Sequence, residues 1–227
     1  MSTEPARPVP LLLACALSAE QAALRAGARG AEHVRLLRTG MGQQKAERSV
    51  SSALAQGGCT PGALLFAGFG AGVGPGIRPG DALVATEVRD VDSGSIELPC
   101  PDVLVGALRR AGLTVHTGPL FSADRVVRGA RRAELHAEGV LGVEMETAGA
   151  LRALPAGIPA AAVRIVVDTP EHELLRPGIL LHGLRAWRAL HTAAPVLAAW
   201  RPDGTAAHNT AVHDTAAHDT SHLRKAR

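Results

Sequence analysis

The stretch IPAAAVRIVVDTPEHELL, residues 158 to 175, constrains this chain more than any other. From Ala161 to Val167 it is the clearest buried-strand pattern in the sequence, and it stops abruptly on Asp168. Successive side chains of a strand point to opposite faces of its sheet, so a strand that is not alternately polar has to be covered on both sides. Similar runs recur from Leu11 to Leu17, from Ala63 to Ala67 and from Ala82 to Val88. Between them lie helix-period segments: AEQAALRAGA, QQKAERSVSSALAQ closed by Gly57 and Gly58, PCPDVLVGALRRAGL, RRAELHAEG, and a last helix from about Leu180 to Trp200. HVRLLR, TVHTGPLFSADRVV and VLGVEMETAGALRAL add further strands, the last running straight into a helix. Strands alternating with helices predict an α/β fold whose sheet is flanked by helices on both faces.

With 227 residues, 46% of them apolar, the chain has enough material for one sizeable α/β core. The expected organisation is a flexible N-terminus over residues 1–8, one domain over residues 9–203, and a disordered tail over residues 204–227. The tail is a five-residue repeat, TAAHN TAVHD TAAHD, with His208, His213 and His218 one per unit. A five-residue step turns histidines off a common helical face, so the tail suits a metal ion poorly, and it has almost nothing apolar to bury.

The run Leu11 to Leu17 also invites a reading as an export signal, with LLAC ending at Cys15 in the manner of a lipid-anchor cleavage box. Only Arg7, offset by Glu4, precedes it as a positive charge, and the run is short even for a signal core. It is far too short to span a membrane, which takes about 20 apolar residues. The expectation is therefore a buried strand, no stable membrane insertion and a cytoplasmic location. Cys15, Cys59 and Cys100 lack paired metal-ligand spacing, and an odd count argues against a disulfide framework. The net charge of +3 owes most of its excess to RKAR at Arg224, there is no tyrosine, and no basic stripe carries interleaved aromatics. Nucleic acid is thus not an expected partner.

In open α/β sheets ligands collect beyond the carboxyl ends of strands. Three acids stand there: Glu20 after the first run, Glu146 after Val140 to Val143, and Asp168. Each alone reads equally as a helix-capping acid favoured by the dipole; together they suggest a site. The glycine-rich stretch GFGAGVGPG from Gly68 follows a strand and reads as a loop that lets backbone approach a ligand, Gly70 among its residues. No helix opens after it and it lacks Gly-Lys-Ser/Thr, so it is neither a dinucleotide fingerprint nor a P-loop.

In order along the chain, ALSAE, TGMG (Thr39 to Gly42), GFGAGVGPGIRPGD, FSADRVV, VEMETAG and VRIVVD together resemble the nucleoside phosphorylase and nucleosidase superfamily, most of all the methylthioadenosine/S-adenosylhomocysteine nucleosidases. The resemblance covers residues 9 to about 190 and rests most on the VEMETAG and VRIVVD pair. It implies a three-layer phosphorylase/hydrolase-like fold with a central mixed sheet flanked by helices, no cofactor and no metal, and a homodimer. It implies that Glu20 polarises the attacking water, Glu146 holds ribose hydroxyls, and Asp168 protonates the departing purine. Met145 is expected against the sugar with Glu144 at its edge, and the backbone of Val127 at the purine edge. This chemistry wants such groups independently, because cleaving an N-glycosidic bond builds positive charge on the ribosyl carbon and negative charge on the base.

The chain departs from the family pattern in two places. Val126 stands where a stacking aromatic is usual, and Phe69 where a small hydroxyl residue is, so stacking would fall to Phe69 or Phe121. Few polar groups are left to read a charged substrate tail, which suggests an apolar 5′ substituent. Phosphorolysis would require phosphate as co-substrate, cradled by arginines and backbone amides near the first strand; Arg38 and Arg78 are the candidates, but a carboxylate at Glu20 repels phosphate and suits water. Within the superfamily, the compact length, SADRVV, and VEMETAG with Asp168 followed by TPEHELL resemble the hopanoid-associated branch, which implies an adenosyl substrate with a hydrophobic 5′ group such as hopane. A futalosine-type nucleosidase and a catalytically idle nucleoside-binding protein are the alternatives.

Overall fold

The computed structural model describes residues 10–56, 60–91, 94–99, 102–170 and 179–202. The expected flexible N-terminus and histidine repeat tail lie outside them.

Among the described residues eight strands and six helices follow one another as β1 (Leu11–Cys15), α1 (Ser18–Gly27), β2 (Val34–Arg38), α2 (Gln43–Gln56), β3 (Ala63–Gly72), β4 (Ala82–Asp90), β5 (Gly94–Glu97), α3 (Asp102–Arg110), β6 (Val115–Ser122), α4 (Ala130–Ala137), β7 (Gly142–Glu144), α5 (Thr147–Arg152), β8 (Ala160–Asp168) and α6 (Ile179–Ala199). The sheet is mixed. Its order is β2-β1-β3-β7-β6-β4-β5, and β8 pairs with both β3 and β4. Strands β3, β7, β6, β4 and β8 therefore close on one another, while β1 and β2 extend the sheet from β3. The β1–β2, β1–β3, β3–β8, β4–β6 and β6–β7 pairings are parallel; β3–β7, β4–β5 and β4–β8 are antiparallel.

The unbroken apolar strands are explained by two cores, one on each face. Along β1, Leu11, Leu13 and Cys15 face a core that also holds residues of α1, α3 and α6, whereas Leu12 and Ala14 face one holding residues of α2 and α5. At 25 cal/mol per Å² of apolar surface, each fully buried leucine contributes roughly 1.5–3 kcal/mol, so β1 alone strongly fixes the register of its neighbours. The expected run to Leu17 ends two residues early: β1 stops at Cys15, and Leu17 is the exposed residue that precedes α1. Among the described residues no helix is long and apolar enough to cross a membrane.

The glycine-rich stretch differs most from expectation. GFGAG is not a loop; β3 continues through it to Gly72, paired to β8 and β7, with a register shift between Gly70 and Ala71. Glycine is required there by crowding rather than by a turn. An added Cβ at Gly70 would meet Val143 O at 3.2 Å, and at Gly72 it would meet Ile77 Cγ2 at 2.8 Å. The short hairpin strand β5 is not among the elements expected from the sequence; it has only four residues, too few for a periodic signal.

Candidate active site

The carboxyl ends of β1, β3 and β8 and the β7–α5 junction open onto one cavity of about 230 Å³. All three strand-end acids line it, together with Glu144, Met145, Phe69, Gly70 and Val127, so these eight residues singled out from the sequence are brought together. Phe121 is not among the lining residues. It packs in a small core with Val73 and Leu135, and Arg131 lies over its ring at 5.8 Å, so Phe69 is the aromatic left to face a ligand.

Glu20 sits in the first turn of α1 with 2% of its surface exposed. Its Oε2 accepts hydrogen bonds from the amides of Ala16 and Leu17, each at 2.8 Å, and its Oε1 accepts from Phe69 N at 2.7 Å. The capping role and the site role are thus one arrangement: the bonds that close the helix N-terminus also hold the carboxylate at the cavity wall.

Glu144, the last residue of β7, is the acid that caps α5. It accepts from the amides of Glu146 at 2.9 Å and Thr147 at 2.8 Å, and it also takes hydrogen bonds from Ser122 Oγ and Arg164 Nη2. That capping frees Glu146 for another task. Its Oε1 accepts from Gly42 N at 3.0 Å, and Arg164 Nη2 lies 3.7 Å from its Oε2. Gly42 has φ +93°, a left-handed backbone that glycine adopts without strain, and this is how the TGMG turn delivers its amide to the site. Burial pushes the Glu146 carboxyl above the ordinary range; Arg164 opposes the shift, Glu144 adds to it, the Gly42 amide opposes it, and Glu20 adds to it.

Asp168, 3% exposed, closes β8 and accepts a hydrogen bond from Arg132 Nη2 at 2.5 Å. Arg132 on α4 is equally buried and also donates from Nε to Val127 O at 3.0 Å. The Val127 backbone is therefore tied to the cation beside Asp168.

Sequence reasoning missed both buried arginines. Arg164 lies in the middle of the strand that reads as most apolar, where it is 1% exposed, stacks over Phe66 at 4.6 Å and pairs with Glu144. The signal that could have found it is a cation inside an otherwise apolar run, which has to find a buried carboxylate partner. Arg132 belongs to a helix that reads as solvent-facing, ARRAELHA, and the discriminating signal is its three-residue spacing to buried Leu135. Arg38 and Arg78 stay outside the cavity. Arg38 donates to Ser18 Oγ at 2.8 Å, and both are exposed. Among the described residues no group of three or more His, Cys, Asp and Glu side chains is placed to hold a metal ion.

Residues 20–178 match the family model described as the Phosphorylase superfamily. The chain belongs to that superfamily. Its enzyme class is accordingly nucleoside N-glycosidase or phosphorylase. A search of curated proteins found no match. Among solved structures, the chain is similar to a 5′-methylthioadenosine/S-adenosylhomocysteine nucleosidase from Neisseria meningitidis in complex with methylthio-immucillin-A, at 17% identity and TM-score 0.65, covering 82% of this chain and 97% of that one. It is similar to the corresponding nucleosidase of Campylobacter jejuni at 15% identity and TM-score 0.69, covering 84% and 97%. It is also similar to the futalosine hydrolase of Helicobacter pylori strain 26695 at 15% identity and TM-score 0.64, covering 82% and 94%. At these identities the likeness is one of fold, and it agrees with the mixed sheet flanked by helices expected from the sequence.

Proposed function

We propose that the chain hydrolyses the N-glycosidic bond of a purine nucleoside and releases the base. One observation carries the choice of water over phosphate. Phosphate in such a site would need backbone amides near the ends of β1 and β3, and the amides there, those of Ala16, Leu17 and Phe69, already bind the Glu20 carboxylate. A dianion brought up to Glu20 would meet like charge in a partly desolvated cavity, whereas a water molecule would find an acceptor for its proton. The expected phosphate arginines, Arg38 and Arg78, are not there to offset that repulsion.

In this reading Glu20 takes the proton of the attacking water, Glu146 binds ribose hydroxyls, and Met145 and Glu144 flank the sugar. Asp168 stands at the base end and supplies the proton with which the purine leaves. Phe69 and Gly70 form the wall against which the nucleoside lies, and Val127 borders the base. A positioned acid or base of this kind contributes about 10²- to 10⁴-fold. Leu17, Met41 and Val126 line the cavity and are at least a third exposed, which suits an adenosyl-type substrate with an apolar 5′ group such as hopane. Arg125, which also lines the cavity, is the feature that favours a futalosine-type substrate instead, because a carboxylate on the 5′ side would pair with it. The exposed Met41 and Val126 are also side chains that a second copy would cover in a homodimer, and a cytoplasmic enzyme acting on small nucleosides fits the sequence.

Purified protein incubated with a panel of nucleosides, with and without phosphate and read by mass spectrometry, tests the proposal. Free base and free sugar without phosphate are the expected products. Turnover only with phosphate, giving a sugar phosphate, would make the chain a phosphorylase; bound nucleoside with no base released after long incubation would make it an idle binding protein.

A further inference from the structure

The base end of the cavity holds a cation that the three-acid reading leaves without a task. Arg132 is 3% exposed and lines the cavity with Val127 and Asp168. Two of its nitrogens are fixed, Nε on Val127 O at 3.0 Å and Nη2 on Asp168 Oδ2 at 2.5 Å. The third, Nη1, is buried and has no hydrogen-bond partner among the described residues. Buried guanidinium nitrogens are ordinarily satisfied, so an unpartnered one in a cavity wall calls for an acceptor that the ligand brings. Asp168 Oδ2, for its part, is engaged as an acceptor and therefore anchors the guanidinium.

We propose that Arg132 is a catalytic residue for leaving-group departure: Nη1 donates to an acceptor nitrogen of the purine, and the guanidinium meets the negative charge that develops there. The inference rests on the nucleosidase reading above. In the step, the electron pair of the glycosidic C–N bond goes to the base and the water oxygen bonds to the ribosyl carbon. The water proton passes to Glu20, and the base receives its proton from the Asp168 carboxyl, which regains one from Glu20 through solvent. Arg132 stabilises the base from bond breaking until that transfer. Anchored at two of its nitrogens, it is aimed before the reaction begins, the condition under which a fixed donor is most effective. A purine offers ring nitrogens as acceptors on the edge away from the sugar, so the class of leaving group it selects is an azaheterocycle with such an acceptor.

The test compares full-length wild type with R132Q and R132K on two substrates. One is the purine nucleoside most rapidly cleaved in the panel; the other is a para-nitrophenyl riboside, whose phenolate leaves without a donor. R132Q should lose roughly 10²- to 10³-fold in kcat on the purine nucleoside, the loss typical of removing one fixed donor. On the nitrophenyl riboside it should stay within a few-fold of wild type. R132K, which keeps the charge, should fall between. Equal losses on both substrates would reduce Arg132 to a structural role and overturn the proposal, as would undiminished purine release by R132Q. If circular dichroism shows R132Q unfolded, R132K alone decides by the same split between substrates. Failure of the wild type to release any base would instead overturn the nucleosidase reading.

Discussion

Gly68→Ala is the substitution for which the structure makes the sharpest demand. A Cβ on Gly68 would lie 2.6 Å from Glu20 Oε1, 2.8 Å from Glu20 Cδ and 2.8 Å from Arg164 Nη1. The first contact falls about 0.8 Å short of the 3.4 Å at which ordinary contact begins. Neither neighbour can swing aside cheaply. Glu20 is held by three backbone amides, and Arg164 is pinned by Glu144 and by Thr147 Oγ1 at 2.7 Å. Relief therefore has to come from moving the Glu20 carboxylate away from Phe69 N, by most of an ångström. A misplacement of about 1 Å in a catalytic group costs on the order of 10²-fold in rate. Overpacking of about 1–3 kcal/mol should lower the melting temperature as well, by roughly 2–4 °C per kcal/mol in a chain of this size. The assay is kcat for base release beside a thermal melt, with Gly183→Ala as control. Gly183 is exposed on α6 with nothing within 4 Å of its added Cβ, so that change should leave kcat untouched and stabilise by about 0.5–1 kcal/mol. A Gly68→Ala enzyme with wild-type kcat would refute both the placement of Glu20 and the reason given for glycine in β3.

Other expectations follow from the same geometry. Glu20→Gln should lower kcat by about 10²- to 10⁴-fold while binding a nucleoside analogue nearly as well, since it removes the proton acceptor but keeps the side chain's shape; unchanged kcat would remove Glu20 from the mechanism. For Glu146, the folded carboxyl binds its proton more tightly than the unfolded one, so it opposes folding increasingly as pH rises from the ordinary carboxylate range through its raised value. Melting curves of wild type and Glu146→Gln should accordingly diverge in the variant's favour as pH rises toward neutrality, and a constant difference would contradict the shift. Burial, with help from Glu20, pushes the Cys15 thiol up to about 12, so peptide mapping after iodoacetamide should find Cys15 unlabelled in the native protein and labelled after denaturation.

The sequence yielded the alternation of elements and the three acids because both depend on local pattern. Buried strands are continuous, and the acids stand where those strands stop. What local pattern does not encode is which elements meet. The closure of β3, β7, β6, β4 and β8 arises from β8 pairing with strands on both sides, a long-range choice with no trace in any one segment. The glycines of GFGAG invited a loop because glycine is common in loops; the actual requirement, space for Glu20 and Arg164, appears only once β1, β3 and β8 are side by side. The division of labour between Glu144 and Glu146 is likewise invisible in VEMETAG. Which acid caps α5 and which faces the ligand depends on Ser122, Gly42 and Arg164, all distant in sequence.

The two arginines alter the electrostatic account of the site most. Glu20, Glu144 and Glu146 gather around Arg164, leaving the end assigned to the sugar with more negative than positive charge. At the opposite end Asp168 is matched by Arg132, whose remaining donor is unspent. A glycosidic bond lying between them would feel a field that favours positive charge on the ribosyl carbon and negative charge on the base. That is the charge separation of the transition state and not of the bound nucleoside, so under the proposed hydrolysis the arrangement would lower the barrier instead of merely tightening binding. Removing each cation in turn tests what the pairs do. Arg164→Met would leave the Glu144 and Glu146 carboxylates buried without their cation, at a typical cost of about 3–5 kcal/mol to stability. Arg132→Met leaves Asp168 equally buried without its cation and should cost a similar amount of stability, but it should also lower kcat for base release in the protein that remains folded, and a folded variant with wild-type kcat would mean that this pair serves only the structure.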